Sequence, residues 1–144
     1  MADELKRAFG LEGERALITG GGTGLGFAMA KCFVQAGADV VITGRREDVL
    51  KEAVKQLGPK ADYRVFDVTD TANAVPFVET LTQEIGPVSI LVNNAGRHCK
   101  KPVLDVTQED LQNVLDVHLM GSFALTKAVV PGMLERKKGN ILFI

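Results

Sequence analysis

The sequence predicts an α/β fold, a parallel sheet wound in both directions with helices on its two faces. Three observations carry this expectation. Short apolar runs alternate with helical segments along the whole chain. The apolar runs are continuous rather than alternating, as in strands covered on both sides. The helical segments stop at glycine, which caps a last turn in the left-handed region at little steric cost. Right-handed crossovers then give a doubly wound, three-layer αβα arrangement.

In order, Arg15–Thr19 is expected as the first strand, with Ala16, Leu17 and Ile18 apolar in succession. Residues 24–36 read as a helix closed by Gly37, and residues 38–43 as the second strand. Glu47–Leu57 reads as a helix stopped by Gly58 and Pro59, and residues 61–67 as a third strand carrying Tyr63, Val65 and Phe66. Residues 71–85 read as a helix stopped by Gly86 and Pro87, and residues 88–92 as the fourth strand. Residues 107–138 form a long helical stretch, in which Pro131 suggests a kink. Thr107 with Asp110 has the spacing of a capping box, and Gly139 is expected to cap the far end. Residues 140–144 begin a fifth strand, where the sequence given stops.

Composition narrows the function. The 144 residues suit a single domain, 1–144, with 46% hydrophobic residues, enough for a core. A net charge of −1 argues against nucleic acid or an anionic membrane as the main partner. No apolar run reaches spanning length, and residues 1–10 lack the apolar centre of a secretory signal. Cys32 and Cys99 form no spaced framework, so they read as free thiols of a reducing cytosol, Cys32 as a small core residue. His98 and Cys99 are adjacent, but no further ligands are spaced for a metal, and none is expected.

Three segments carry chemistry, all at the carboxyl ends of expected strands, where such sheets bind ligands. Thr19-Gly20-Gly21-Gly22-Thr23-Gly24-Leu25-Gly26 leaves a strand and opens a helix. Glycines there let the backbone approach a pyrophosphate, and the helix N-terminus offers free N–H groups. On this turn alone, a ligand-free tight turn is the alternative. Asn93-Asn94-Ala95-Gly96 ends the fourth strand and reads equally as ligand contact or as an ordinary turn. Asp67-Val68 ends the third; by itself, Asp67 reads more readily as a capping or turn residue.

Together, these segments resemble the short-chain dehydrogenase/reductase family. Its Thr-Gly-x-x-x-Gly-x-Gly motif is matched by Thr19, Gly20, Gly24 and Gly26, its Asn-Asn-Ala-Gly by Asn93 to Gly96, and its adenine-side Asp by Asp67. The resemblance implies a Rossmann-like sheet and an oxidoreductase that interconverts an alcohol and a carbonyl by hydride transfer with NAD(P). It implies that the turn from Gly20 to Gly26, including Gly22, Thr23 and Leu25, holds the pyrophosphate. Asp67 and Val68 would meet the adenine. Asn93, Ala95 and Gly96 would line the cofactor, with the nicotinamide toward the end of the fifth strand. A small-molecule alcohol or carbonyl substrate and a dimer or tetramer of the full-length protein, in the cytoplasm, are implied as well. The run Arg97-His98-Cys99-Lys100-Lys101-Pro102 looks similar to that of the sugar-acid and 3-oxoacyl branches; it reads as a solvated loop, with contact to an anionic substrate as the alternative.

NADP is the expected cofactor, with NAD as the alternative. An NAD enzyme usually has an acid at the end of the second strand for the ribose hydroxyls, whereas Gly44 stands there, followed by Arg45 and Arg46. A guanidinium pairs with a 2′-phosphate through two bonds. The missing acid also argues against a methyltransferase. The family's active centre is Asn, Ser and Tyr-x-x-x-Lys. The resemblance places Ser, Tyr and Lys beyond the fifth strand, and the sole tyrosine, Tyr63, lies in no such motif. In Val117-His118-Leu119-Met120-Gly121 the Asn place is taken by His118, whose imidazole can donate and accept a hydrogen bond; it reads equally as a support of the same proton relay or as a helical His that finds one partner. The competing reading is a catalytically silent nucleotide-binding or regulatory module. If Met1–Ile144 is the whole polypeptide, it is expected to lack dehydrogenase activity, since general acid–base groups contribute about 10²–10⁴-fold. A nicotinamide absorbance assay on the purified chain checks this; turnover that tracks the pure chain would point to an acid/base within it, His118 first.

Overall fold

The computed structural model describes residues 8–144; residues 1–7, on which most of the N-terminal expectation falls, lie outside the described residues. Five strands form one sheet: β1 (Arg15–Thr19), β2 (Asp39–Gly44), β3 (Ala61–Val65), β4 (Ile90–Asn93) and β5 (Asn140–Phe143). Their order is β3-β2-β1-β4-β5, and every pairing is parallel, with Leu17 opposite Val41 on one side and Leu91 on the other. The doubly wound α/β expectation holds. The chain runs outward from β1 to β3, then returns to the far side of β1 for β4, which puts the switch point between β1 and β4.

Alternation along the strands builds two cores. Ala16, Ile18, Val40, Ile42, Ile90 and Val92 face α1 (Gly24–Gln35) and α2 (Glu47–Leu57), whose Ala30, Leu50, Ala53 and Leu57 are buried against them. Leu17, Val41 and Leu91 face α3 (Ala74–Ile85) and α5 (Ser122–Glu135), which contribute Val78, Leu81, Leu125, Val129 and Met133. Phe66, just past β3, stacks on Phe77 of α3 with ring centroids 4.3 Å apart. Cys32, expected in the core, is exposed. At about 100° per residue, it lies on the face of α1 opposite Gly26 and Ala30.

The amino ends of the strands are closed by charge pairs. Arg15 meets Asp39 at 3.3 Å, Lys60 donates to the Gly37 carbonyl at 2.7 Å, and Glu14 pairs with Lys138. Hydrogen bonds from Lys138 and Ser89 hold the Glu14 carboxyl below the usual range.

The boundaries shift where local chemistry overrides pattern. β3 ends at Val65 rather than 67, and β4 runs from Ile90 to Asn93 rather than 88–92. A 3₁₀ turn at Thr71–Asn73 precedes α3. The long helical stretch is α4 (Gln108–Leu115), a π-helical segment at Asp116–Gly121, and α5. The departure from α geometry therefore falls at the wide turn, and Pro131 sits within an unbroken α5. The helix ends in a Schellman-type cap at Lys137, whose φ is +52°, rather than at Gly139. Gly139 is needed for room instead: a Cβ there would strike the Met133 side chain.

From Gln108 to Glu135, this helix is 28 residues long and, by length and composition alone, apolar enough to cross a membrane, contrary to the expectation. That expectation sought an uninterrupted apolar run, whereas the helix reaches its apolarity with polar residues interspersed. Leu125, Val129 and Met133 are packed into the sheet's core, as in the core helix of a globular domain.

Thr107 and Asp110 form the expected capping box: Thr107 Oγ1 accepts from the Asp110 N–H at 3.1 Å, and the Asp110 carboxylate accepts from the Thr107 N–H at 3.0 Å. The Lys101 ammonium adds a bond at 2.6 Å. With Lys101 the largest cause and the Thr107 donors next, the Asp110 carboxyl is lowered to about 2. A depressed carboxyl contributes stability that is complete above its unfolded value of about 4 and is lost as pH falls through the folded value. NMR titration should place Asp110 near 2 and show the capping contribution disappearing between these limits; Lys101→Ala should move the midpoint upward.

Candidate functional site

The carboxyl ends of the strands open into one cavity of about 680 Å³, within the range of small-molecule sites. The glycine turn forms one wall. Gly20, Gly22, Thr23, Leu25 and Gly26 line the cavity, and Gly24 takes the left-handed φ of +55° that the turn requires. The turn is made by close approach: a Cβ at Gly26 would lie 2.5 Å from Asn94 Nδ2, and one at Gly20 would lie 3.1 Å from Ala95 Cα. α1 then begins beneath it. Its N-cap Thr23 makes no side-chain capping bond, and its first turn holds no acid. The leading N–H groups are therefore left for an anion, and this glycine-backed cradle suits the pyrophosphate of a dinucleotide.

Thr19 joins the turn to β4. Its buried hydroxyl accepts from the Asn94 and Ala95 N–H groups, both at 2.9 Å, and donates to the Val92 carbonyl at 3.3 Å. Asn94 Nδ2 returns bonds to the Thr19 and Gly20 carbonyls at 2.9 and 3.3 Å. Asn94 and Thr19 both belong to the two motifs, but nothing in the sequence marks them as the pair that joins the motifs. Asn93 is placed differently: it is 5% exposed, its amide points to Thr126 Oγ1 at 3.4 Å, and it does not line the cavity. Its alternation along β4 turns it into the α5 side of the sheet. Ala95 and Gly96 do line the cavity.

At the end of β2, Gly44, and just past it Arg45 and Arg46, line the opposite end. The nearby Glu47 is engaged elsewhere; Lys51 first, and the Tyr63 hydroxyl second, hold its carboxyl below the usual range. Among the described residues, neither Arg45 nor Arg46 makes an ion pair. Past β3, Asp67 and Val68 line the wall. Asp67 Oδ1 accepts from the Thr69 N–H at 3.0 Å and hydroxyl at 2.8 Å, so Asp67 also caps its own turn. Phe66 and Val117 add apolar surface, and Ile144 lies at the rim.

His118 stands in the π-helical segment and lines the cavity. Its Nε2 lies 3.0 Å from the Arg97 nitrogen and 3.1 Å from the Arg97 oxygen. Gly96 leaves the imidazole room, since a Cβ there would lie 3.0 Å from its Cε1. Gly121 lets the same segment press on β3's exit: a Cβ there would lie 2.6 Å from the Val68 oxygen. No cluster of His, Cys, Asp and Glu suited to a metal occurs among the described residues.

Comparison with known proteins agrees with this geometry. A family model for short chain dehydrogenases matches residues 14–144. Gluconate 5-dehydrogenase of Gluconobacter oxydans is 34% identical over 139 residues, which cover 94% of this chain and 54% of the relative. The NADP-dependent (R)-specific alcohol dehydrogenase of Lentilactobacillus kefiri is 39% identical over 131 residues, covering 90% of this chain and 52% of that protein. A crystal structure of a gluconate 5-dehydrogenase from Burkholderia cenocepacia, in complex with NADP and tartrate, superposes with a TM-score of 0.88 at 34% identity, covering 95% of this chain and 55% of the other. The chain spans about half the length of the curated relatives it matches.

Replacing Thr19 by Val keeps its volume and leaves the two N–H groups without their acceptor. Each unmet buried group costs about 1–3 kcal/mol, so a loss of roughly 3 kcal/mol is expected. Urea unfolding of the complete gene product should show a lower midpoint at unchanged slope.

Proposed function

The chain belongs to the short-chain dehydrogenase family, and from that premise we propose that it is the cofactor-binding part of an NADP-dependent oxidoreductase. The observation that carries this reading is the pair Arg45 and Arg46, without an ion pair among the described residues, beside Gly44, with no acid at the end of β2. The glycine cradle and the α1 N-terminus would hold the pyrophosphate, and the two guanidiniums the 2′-phosphate. Val68 and Asp67 would border the adenine, and Ala95 and Gly96 the nicotinamide side. When bound, the cofactor supplies or accepts the hydride. Gly22, Thr23, Leu25 and Gly26 orient it, and the Phe66, Val68 and Val117 side chains keep water from that wall. The proton transfer belongs to groups that the resemblance places outside this sequence. His118 is bonded to the Arg97 backbone, so we assign it a positioning role rather than a place in the proton relay.

The substrate class proposed is a hydroxy acid or its oxo form, supported by the gluconate dehydrogenases among the relatives and neighbours. The exposed Leu111, Leu115, Leu119 and Phe123, along α4, the π-helical segment and α5, support assembly with a second copy of the protein. The free thiols Cys32 and Cys99 support a reducing cytoplasm, and the net charge supports a partner other than nucleic acid or membrane.

Arg45→Asp in the complete gene product should reverse the local charge and lower the preference for NADP over NAD by about tenfold or more, since a bond to a charged group contributes about 1.5–3 kcal/mol. Titration of each cofactor by fluorescence measures the ratio, and an unchanged ratio counts against the assignment.

A further inference from the structure

The cavity has a second cationic end, at the exit of β4, that the cofactor reading leaves without a partner. The basic run 97–101 is not uniform. Lys101 is bound by Asp110, whereas Arg97 and His98 line the cavity. Among the described residues, neither the Arg97 guanidinium nor the His98 ring has a hydrogen bond or ion pair. The Arg97 backbone, by contrast, is fixed: its peptide N–H and its carbonyl both face His118 Nε2, at 3.0 and 3.1 Å. A side chain without a partner is thus mounted on an anchored main chain.

Strand order decides what that end meets. Arg45 and Arg46 follow β2, and Arg97 and His98 follow β4, two strand spacings away across β1. Adjacent strands lie about 4.8 Å apart, so the two cationic ends are separated by about 10 Å. A dinucleotide held as proposed, by Gly20–Gly26 and by Arg45 and Arg46, would leave the β4 end without a phosphate. The cavity's acid, Asp67, stands beyond β2 at β3 and cannot neutralise the β4 end.

We propose that Arg97 and His98 form a carboxylate subsite for the substrate, with His118 as the positioning residue that aims Arg97. The inference rests on the reading that the cavity holds a nicotinamide dinucleotide, and it assigns the acid group of a hydroxy acid to named residues. The planar guanidinium meets a carboxylate through two parallel N–H···O bonds, and the imidazole of His98 donates a third. His118 offers a single nitrogen to both the donor and the acceptor of Arg97, so it serves one at a time. An asparagine offers an oxygen and an N–H together, and should hold the same peptide group.

Calorimetric titration of the complete gene product, with and without saturating NADP, tests the proposal. The probe is tartrate, with the neutral four-carbon polyol threitol as the control. Tartrate should bind and threitol should not. Arg97→Ala should weaken tartrate at least about tenfold while leaving NADP affinity unchanged. His98→Ala should weaken it less. His118→Leu should also weaken tartrate, and His118→Asn should restore it; a merely structural role for His118 would instead change NADP affinity and tartrate affinity together. Equal tartrate affinity in wild type and Arg97→Ala, or equal binding of threitol, overturns the subsite. Failure of the wild type to bind NADP overturns the cofactor reading instead, and the tartrate titration without NADP still decides the subsite.

Discussion

One hydroxyl group holds the switch point together. Thr19 ends β1, and its Oγ1 reaches across to β4, accepting from two consecutive N–H groups and donating to a carbonyl. Where a parallel sheet reverses its winding, neighbouring strands diverge into separate loops, and their terminal backbone groups lose ladder partners. Thr19 and the Asn94 amide replace those partners. The glycine turn then leans on Asn94, with no room between Gly26 and the amide for even a methyl group. The start of α1, the floor of the cavity and the exit of β4 are all fixed by this contact.

The two edges of the sheet divide the electrostatic work. At the amino edge, Glu14 is matched by Lys138, Arg15 by Asp39, and Lys60 by the Gly37 carbonyl. At the carboxyl edge, Arg45, Arg46 and Arg97 line the cavity, where Asp67 is the only lining acid among the described residues. Exposed ion pairs contribute little each, so the amino edge serves mainly to neutralise strand ends. The excess positive charge at the other edge has no such internal account; it fits anionic ligands.

Much of this was legible in the sequence. Continuous apolar runs such as Ala16-Leu17-Ile18 gave the parallel sheet, and the spacing of Gly20, Gly24 and Gly26 gave the tight turn from strand to helix, because these signals are local. Arg45, Arg46, Asp67 and Val68 line the cavity because they follow the carboxyl ends of β2 and β3, a placement legible from the order of the elements. What escaped notice depends on contacts distant in sequence. Whether Asn93 or Asn94 faces the cavity is set by the pleat of β4, and a one-residue shift in its pairing register would invert the answer. The close approach of Gly139 to Met133, which calls for a glycine without making it the cap, is likewise visible only in the folded chain. The wide turn at Asp116–Gly121 leaves no periodic mark, and Pro131, the conspicuous breaker, drew the expected kink to the wrong place.

That wide turn reaches both sides of the cavity. Through Gly121 it bears on Val68 at the exit of β3, and through His118 it holds Arg97 at the exit of β4. Loops set the width of many clefts and must be ordered when a ligand arrives. Here a single helical segment, packed into the core from Leu125 onward, braces two opposite walls. The cleft is therefore preorganised: the entropy of arranging its walls is lost once, during folding, and little of it remains to oppose each binding event.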